Sequence, residues 1–149
     1  MIKLNMKDKV ILITGGTKGI GLATALKFGE AGAKCYLTYK WGSDDFSYLF
    51  DKFKKINAPE PVLIQADVSV NEDTDNLLEE IAKNENQIDF FISNVSVAQR
   101  TMNLDQYKKS SFFKSIEYST WPMVDYTRKI KKKFGKYPKY VVGISSDGP

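Results

Sequence analysis

The sequence predicts an α/β fold: a doubly wound parallel sheet of five strands in the order 3-2-1-4-5. Three observations carry that expectation. Short apolar runs alternate with amphipathic segments along all 149 residues. The first run, Lys9-Val10-Ile11-Leu12-Ile13-Thr14, is apolar on both faces, as a strand covered by helices on each side must be. Glycines follow that run directly and open a helix. Strand–helix–strand units with right-handed crossovers build a doubly wound sheet. Its ligand crevice lies at the carboxyl ends of the strands, where the winding direction reverses. Here that point falls beside Thr14-Gly15 and Ser93-Asn94.

Each element has a local reason. The first helix runs from about Gly19 to Ala31 and is stopped by Gly32. Lys34 to Tyr39 reads as the second strand. Ser43 or Asp44 is placed to cap the next helix, where Phe46, Leu49, Phe50, Phe53 and Ile56 form an apolar stripe at helical spacing. Pro59 and Pro61 end it, and Val62-Leu63-Ile64 is the third strand. Ser69 and Glu72 read as a capping box ahead of a helix carrying Leu77, Leu78 and Ile81. Ile88 to Ser93 is the fourth strand. A long helical region follows from about Leu104 to Lys133, interrupted near Trp121-Pro122. Tyr140-Val141-Val142-Gly143-Ile144 is the fifth strand.

Composition narrows the function classes. Apolar residues make up 42% and charged residues 27%, an ordinary globular balance for one domain. No apolar run approaches the roughly 20 residues needed to cross a bilayer, and Met1 to Met6 has no signal-peptide pattern. A single cysteine, Cys35, and no histidine leave no internal disulfide, no soft metal cluster and no histidine-based triad. Asp73, Asp75, Glu79 and Glu80 read as a solvated helix face, and no metal site is expected. A reduced, cytoplasmic setting fits this usage. The net charge of +4 is too small to argue for nucleic acid. Lys129, Lys131, Lys132, Lys133, Lys136 and Lys139 read as a solvated helix terminus, where cations suit the dipole, ahead of a patch for an acyl carrier protein or a nucleic acid.

The strongest signal is Thr14-Gly15-Gly16-Thr17-Lys18-Gly19-Ile20-Gly21. Gly15 permits a tight turn, Gly19 lets backbone approach a pyrophosphate, and Gly21 allows close helix–strand packing. The helix N-terminus then offers free N–H groups and a partial positive charge to that anion. The strand before and the helix after supply the context that a glycine pattern needs.

These residues resemble the short-chain dehydrogenase/reductase family, whose fingerprint at this place is TGxxxGxG. The resemblance extends over the whole chain and implies a Rossmann-type dinucleotide-binding domain. Asp67-Val68 matches the family's acidic pair at the adenine. Ser93-Asn94-Val95-Ser96 stands where the family usually has Asn-Asn-Ala-Gly. Ile144-Ser145-Ser146 ends the fifth strand where the family's catalytic serine lies, with Ser146 the matching residue. The resemblance thus implies a cofactor site at Gly15, Thr17, Lys18, Gly19, Ile20, Gly21, Tyr39, Lys40, Asp67, Val68, Asn94, Val95 and Ser96. A nicotinamide cofactor without the 2′-phosphate usually meets a carboxylate at the end of the second strand. That end reads Thr38-Tyr39-Lys40, with Lys18 within reach, so NADP(H) is expected over NAD(H).

The implied chemistry is hydride transfer to a carbonyl, or to the enoyl bond of an acyl thioester. In the family a tyrosine handles the proton, a lysine lowers its pKa, and a serine orients the substrate oxygen. The Tyr and Lys lie on the helix after the fifth strand, roughly a dozen residues beyond the serine. The sequence stops at Pro149, so the expectation is a chain truncated before that helix and before the family's C-terminal strands. Tyr36…Lys40, Tyr48…Lys52, Tyr48…Lys55, Tyr107…Lys114 and Tyr126…Lys133 copy the pair's spacing, but their context is wrong for it. Ser96 departs from the family's glycine, and Glu117-Tyr118 stands near its proton-relaying asparagine. Phe91 to Ser96 and Tyr118-Ser119 look more like the enoyl-acyl-carrier-protein reductase branch. Two readings follow: a reductase of a small carbonyl or acyl-thioester substrate, some of these borne on acyl carrier protein, or a non-catalytic dinucleotide-binding module or remnant. The apolar face of residues 104–133 is expected to pair with a second copy, and the fifth strand to be an open sheet edge.

Overall fold

The computed structural model describes residues 4–41 and 45–145. Its strands are β1 (Val10–Ile13), β2 (Lys34–Tyr39), β3 (Val62–Gln65), β4 (Phe90–Ser93) and β5 (Tyr140–Gly143). They form one parallel sheet in the order β3-β2-β1-β4-β5, as the sequence predicts. The helices are α1 (Gly19–Glu30), α2 (Ser47–Lys55), α3 (Asn71–Ala82), α4 (Lys109–Ser115) and α5 (Trp121–Phe134). No helix among the described residues is long and apolar enough to cross a membrane.

The central strand explains why helices cover both faces. All four β1 residues are buried, and successive side chains point to opposite sides. Val10 and Leu12 join Phe91, Leu77, Leu78, Ile81, Tyr126 and Ile130 in the layer under α3 and α5. Ile11 and Ile13 join Leu22, Ala25, Cys35, Leu37, Leu49 and Phe53 in the layer under α1 and α2. Each layer buries a helix's apolar stripe, and that burial, not helix propensity, holds these short helices. Gly32, at φ +94°, ends the first crossover as expected.

Three local expectations are corrected. Helix α2 begins at Ser47 with Phe46 at the cap position, and the Asp45 carboxylate accepts the Ser47 N–H at 2.9 Å; Ser43 and Asp44 lie outside the described residues. Helix α3 is preceded by Val70, not capped by Ser69. Ser69 instead donates its hydroxyl and its N–H to Asp67 at 2.8 and 3.0 Å, so Asp67 takes the Ser69 N–H that Glu72 would accept in a capping box. The long helical region is interrupted near Trp121-Pro122, as expected, but it begins later: helix proper starts at Lys109, not at Leu104. A single 3₁₀ turn at Leu104–Gln106 precedes α4, and a π turn, Ile116–Thr120, joins α4 to α5.

Pro122 is the physical cause of that π turn. Proline has no N–H for the carbonyl four residues back, here that of Tyr118, and its ring crowds that carbonyl. The helix widens by one residue, and Trp121 N–H donates to the Ile116 carbonyl. The exposed faces match the expected unpaired surfaces. On β5, Tyr140 and Val142 are exposed. Phe112, Phe113, Trp121 and Val124 on α4 and α5 are 44–55% exposed. The acidic and basic helix faces partly neutralise each other: Lys129 lies 3.1 Å from Asp75 and 3.5 Å from Asp125, and Lys133 pairs with Glu79.

Candidate functional site: the crevice between β1 and β4

Where β1 and β4 end, the chain leaves in opposite directions, and polar side chains bind the two ends together. Thr14 is fully buried, and its hydroxyl oxygen accepts the Asn94 N–H at 3.0 Å and the Val95 N–H at 3.4 Å. The Asn94 amide donates to the carbonyls of Thr14 and Gly15, both at 3.1 Å. On the other side, Gly15 N–H donates to the Thr38 hydroxyl at 3.2 Å and Gly16 N–H to the Thr38 carbonyl at 3.0 Å. Three strand ends therefore fix the start of the glycine turn.

Within the turn the glycines do different things. Gly15 has φ +63°, in the left-handed region that favours glycine. Gly21 is packed from behind: a Cβ there would lie 2.3 Å from the Gly15 carbonyl oxygen and 2.7 Å from Asn94 Nδ2. At Gly19, φ +55°, a Cβ would meet nothing within 4 Å. Helix α1 then starts with Lys18 extended, no side-chain cap and no acidic residue in its first turn. Its leading N–H groups and the positive end of its dipole are left for an outside acceptor. Tyr48 of α2, one of the spacing decoys, donates its hydroxyl to the Thr17 carbonyl at 3.0 Å and so holds the turn from outside.

A cleft of about 520 Å³ opens over the turn. Of the residues expected at a cofactor, Gly15, Thr17, Lys18, Ile20, Tyr39, Lys40, Asn94, Val95 and Ser96 line it. Asp67 and Val68 line an adjoining recess of about 40 Å³. Gly19 and Gly21 belong to the turn itself. Ser146, the expected substrate-orienting residue, lies outside the described residues. Four lining residues escaped the sequence reading: Trp41, Val97, Lys114 and Tyr118. Ser119 of the π turn accepts the Val97 N–H at 2.9 Å and ties the loop after β4 to that turn. Among the described residues lining the cleft there is no carboxylate, while Lys18, Lys40 and Lys114 supply three cations.

Lys40 is not free. Its ammonium lies 2.5 Å from Asp67 Oδ2 and 2.8 Å from the Tyr118 hydroxyl, and 4.3 Å from the centre of the Trp41 ring. The Asp67 and Tyr118 hydrogen bonds raise the Lys40 pKa above its usual range. For Asp67, burial opposes the charge, but the Lys40 ammonium and the Ser69 donors outweigh burial and hold the carboxyl below its usual range. The Asp67 N–H is in turn held by Asp73 at 2.8 Å.

A five-stranded 3-2-1-4-5 sheet with a glycine turn at its switch point defines an α/β domain of the Rossmann type. More narrowly, the short chain dehydrogenase family model matches residues 9–147, and the chain belongs to that family of oxidoreductases. A short-chain dehydrogenase/reductase from Pestalotiopsis microspora, GME11373, is 35% identical over 96 residues, which is 64% of this chain and 36% of that protein. Two solved structures are similar at the level of fold. An NADH-dependent reductase, A1-R′, complexed with NAD, superposes with a TM-score of 0.75 at 23% identity, covering 89% of this chain and 57% of that one. The NADPH-dependent 3-quinuclidinone reductase of Rhodotorula rubra gives 0.75 at 24% identity, covering 89% and 50%. The chain thus spans about a third to a little over half of the length of these three.

Proposed function

We propose that this chain is the dinucleotide-binding part of an NADP(H)-dependent oxidoreductase that reduces a carbonyl or the enoyl bond of an acyl thioester. The glycine turn carries the proposal. It leaves open space at Gly19, between cleft residues Lys18 and Ile20, at the uncapped start of α1. Those features fit a pyrophosphate, which needs backbone donors and close approach. Relatives in fold include one named for NADH and one for NADPH, so the preference rests on the chain's own residues. Three lysines line the cleft against one bordering carboxylate, Asp67, which pairs with Lys40, and that excess of positive charge favours a 2′-phosphate over a 2′-hydroxyl.

A bound nicotinamide dinucleotide supplies the hydride in such a reaction. The chain's own work is to bind and orient. Gly15, Thr17, Gly19, Ile20 and the start of α1, set by Gly21, receive the pyrophosphate. Lys18, Tyr39 and Lys40 receive the 2′-phosphate end, and Asp67 and Val68 the adenine. Asn94, Val95 and Ser96 border the nicotinamide half, and Ser146 orients the substrate oxygen. Pairing with a second copy through residues 104–133, and delivery of an acyl substrate on acyl carrier protein, complete the reading.

The test is titration of the full chain with NADPH and NADH, followed by turnover against simple ketones and an enoyl thioester. Tighter NADPH binding with turnover supports the proposal. Binding without turnover reduces it to a dinucleotide-binding module. A chain that binds neither nucleotide refutes it.

A further inference from the structure

The contact between Lys40, Asp67 and Tyr118 does more than line the cleft. Three separated pieces of chain supply it: the end of β2, the turn after β3, and the π turn. The Tyr118 hydroxyl is 2.8 Å from Lys40 and 3.5 Å from Asp67 Oδ2. Its ring stands 4.7 Å from the Lys40 ammonium and 5.8 Å from that of Lys114. Tyr118 borders both the 520 Å³ cleft and the recess containing Asp67 and Val68. With Tyr118 bridged in this way, the recess measures about 40 Å³. That is room for a few waters at most, and too little for a purine ring while the bridge holds.

We propose that Lys40, Asp67 and Tyr118 form a latch that shuts the adenine recess, and that a nucleotide's 2′-phosphate opens it by drawing Lys40 away from Asp67. This rests on the dinucleotide reading above. The backbone under the latch is suited to give way. Tyr118 sits at the position whose carbonyl Pro122 cannot pair, inside the one widened turn of the α4–α5 helix. The exchange is electrostatically sensible. A phosphate monoester carries nearly two negative charges and three acceptor oxygens, against one charge on Asp67. Asp67 keeps its Ser69 donors when the ammonium leaves, so it is not stranded. A nucleotide without the 2′-phosphate must break the same bridge with no cation gained. Selection for NADP(H) then arises partly from the closed state, not only from a contact in the open one.

The test uses the full chain and fragments without nicotinamide: adenosine 5′-monophosphate, adenosine 2′,5′-bisphosphate and the 3′,5′ isomer, titrated by calorimetry. The native chain binds the 2′,5′ compound about tenfold or more tightly than the other two, the scale of one charge-assisted hydrogen bond. Tyr118→Phe removes a hydroxyl yet binds both the monophosphate and the 2′,5′ compound about fivefold more tightly. Lys40→Met tightens the monophosphate and erases the 2′ preference. Monophosphate affinity unchanged or weakened in either variant overturns the latch and leaves the nucleotide site standing. Equal affinity for the two bisphosphates in the native chain overturns the 2′ assignment. If neither the native chain nor Tyr118→Phe binds any of the three, the dinucleotide reading itself fails.

Discussion

Two glycines of one turn should fail in opposite ways when replaced by alanine. A methyl at Gly21 meets the Gly15 carbonyl oxygen at 2.3 Å and Asn94 Nδ2 at 2.7 Å, and neither can step aside cheaply. The Asn94 amide is committed to the Thr14 and Gly15 carbonyls, so relief means moving the turn and losing those bonds. Overpacking costs about 1–3 kcal/mol. Adding part of two hydrogen bonds at roughly 1 kcal/mol each, we expect Gly21→Ala to lose about 2–4 kcal/mol. Gly19→Ala has open space, and its cost is the left-handed φ of +55°, about 1 kcal/mol. That methyl enters the space assigned to the pyrophosphate. Urea unfolding at constant m separates the stability costs, and NADPH titration reads the site. Gly19→Ala should keep its fold and lose nucleotide binding; Gly21→Ala should lose stability first. A Gly21→Ala midpoint equal to the native one, or native NADPH affinity in Gly19→Ala, would refute the reasoning.

Cys35 is buried at 1% exposure, and burial raises its thiol from 9.0 to about 12. The folded state keeps the proton where the unfolded chain has lost it, so stability is intact below about pH 9 and falls toward pH 12 by about 4 kcal/mol. Cys35→Ala should have a shallower alkaline limb, not a flat one, because Tyr36 and Tyr126 are also raised by burial; urea midpoints that run parallel from pH 8 to 11 would contradict this. The Tyr126 hydroxyl is buried without a hydrogen-bond partner while its ring stacks on Phe91 at 5.2 Å, and the neighbouring Thr74 hydroxyl donates to Val70. Tyr126→Phe should therefore be neutral or more stable by up to about 1 kcal/mol, and a loss above about 1 kcal/mol in thermal unfolding would count against it. The exposed Phe112, Phe113, Trp121 and Val124 predict a dimer by size-exclusion chromatography with light scattering, and a sharply melting monomer at micromolar concentration would sink that expectation.

What was legible in the sequence follows the range of the interactions. The parallel, doubly wound sheet came from two-sided apolar runs and crossover handedness, its order from the resemblance to the short-chain dehydrogenase/reductase family, and Val10 to Ile13 is buried on both faces as such runs require. The glycine turn was legible because its constraints are local. The capping box at Ser69 misled because Asp67, two residues away, takes the Ser69 N–H that Glu72 would accept. Lys40 lines the cleft, but its ion pair with Asp67 and its hydrogen bond to the Tyr118 hydroxyl were not legible. Tyr118 lies 78 residues further along the chain, and no periodicity announces such a contact. Lys114 escaped for the same reason. The break near Pro122 was expected, but its form was not: proline dictates a missing donor and leaves the helix to choose between a kink and a widened turn.

The same distinction separates what holds the crevice from what selects its ligand. A topological switch point leaves a gap because β1 and β4 hand the chain off in opposite directions, and any gap at strand ends exposes unpaired backbone groups. Thr14 and Asn94 satisfy those groups across the gap by hydrogen bonds made within the chain itself. A cradle held by such bonds suits a pyrophosphate, which is common to every dinucleotide. The recess proposed for adenosine is built differently, from side chains just after β2, in the turn after β3 and in the π turn, linked by a partly exposed ion pair. Such pairs contribute little net stability and exchange partners at small cost. If the proposed 2′-phosphate discrimination holds, that exchangeable charge serves it better than the fixed hydrogen bonds of the turn.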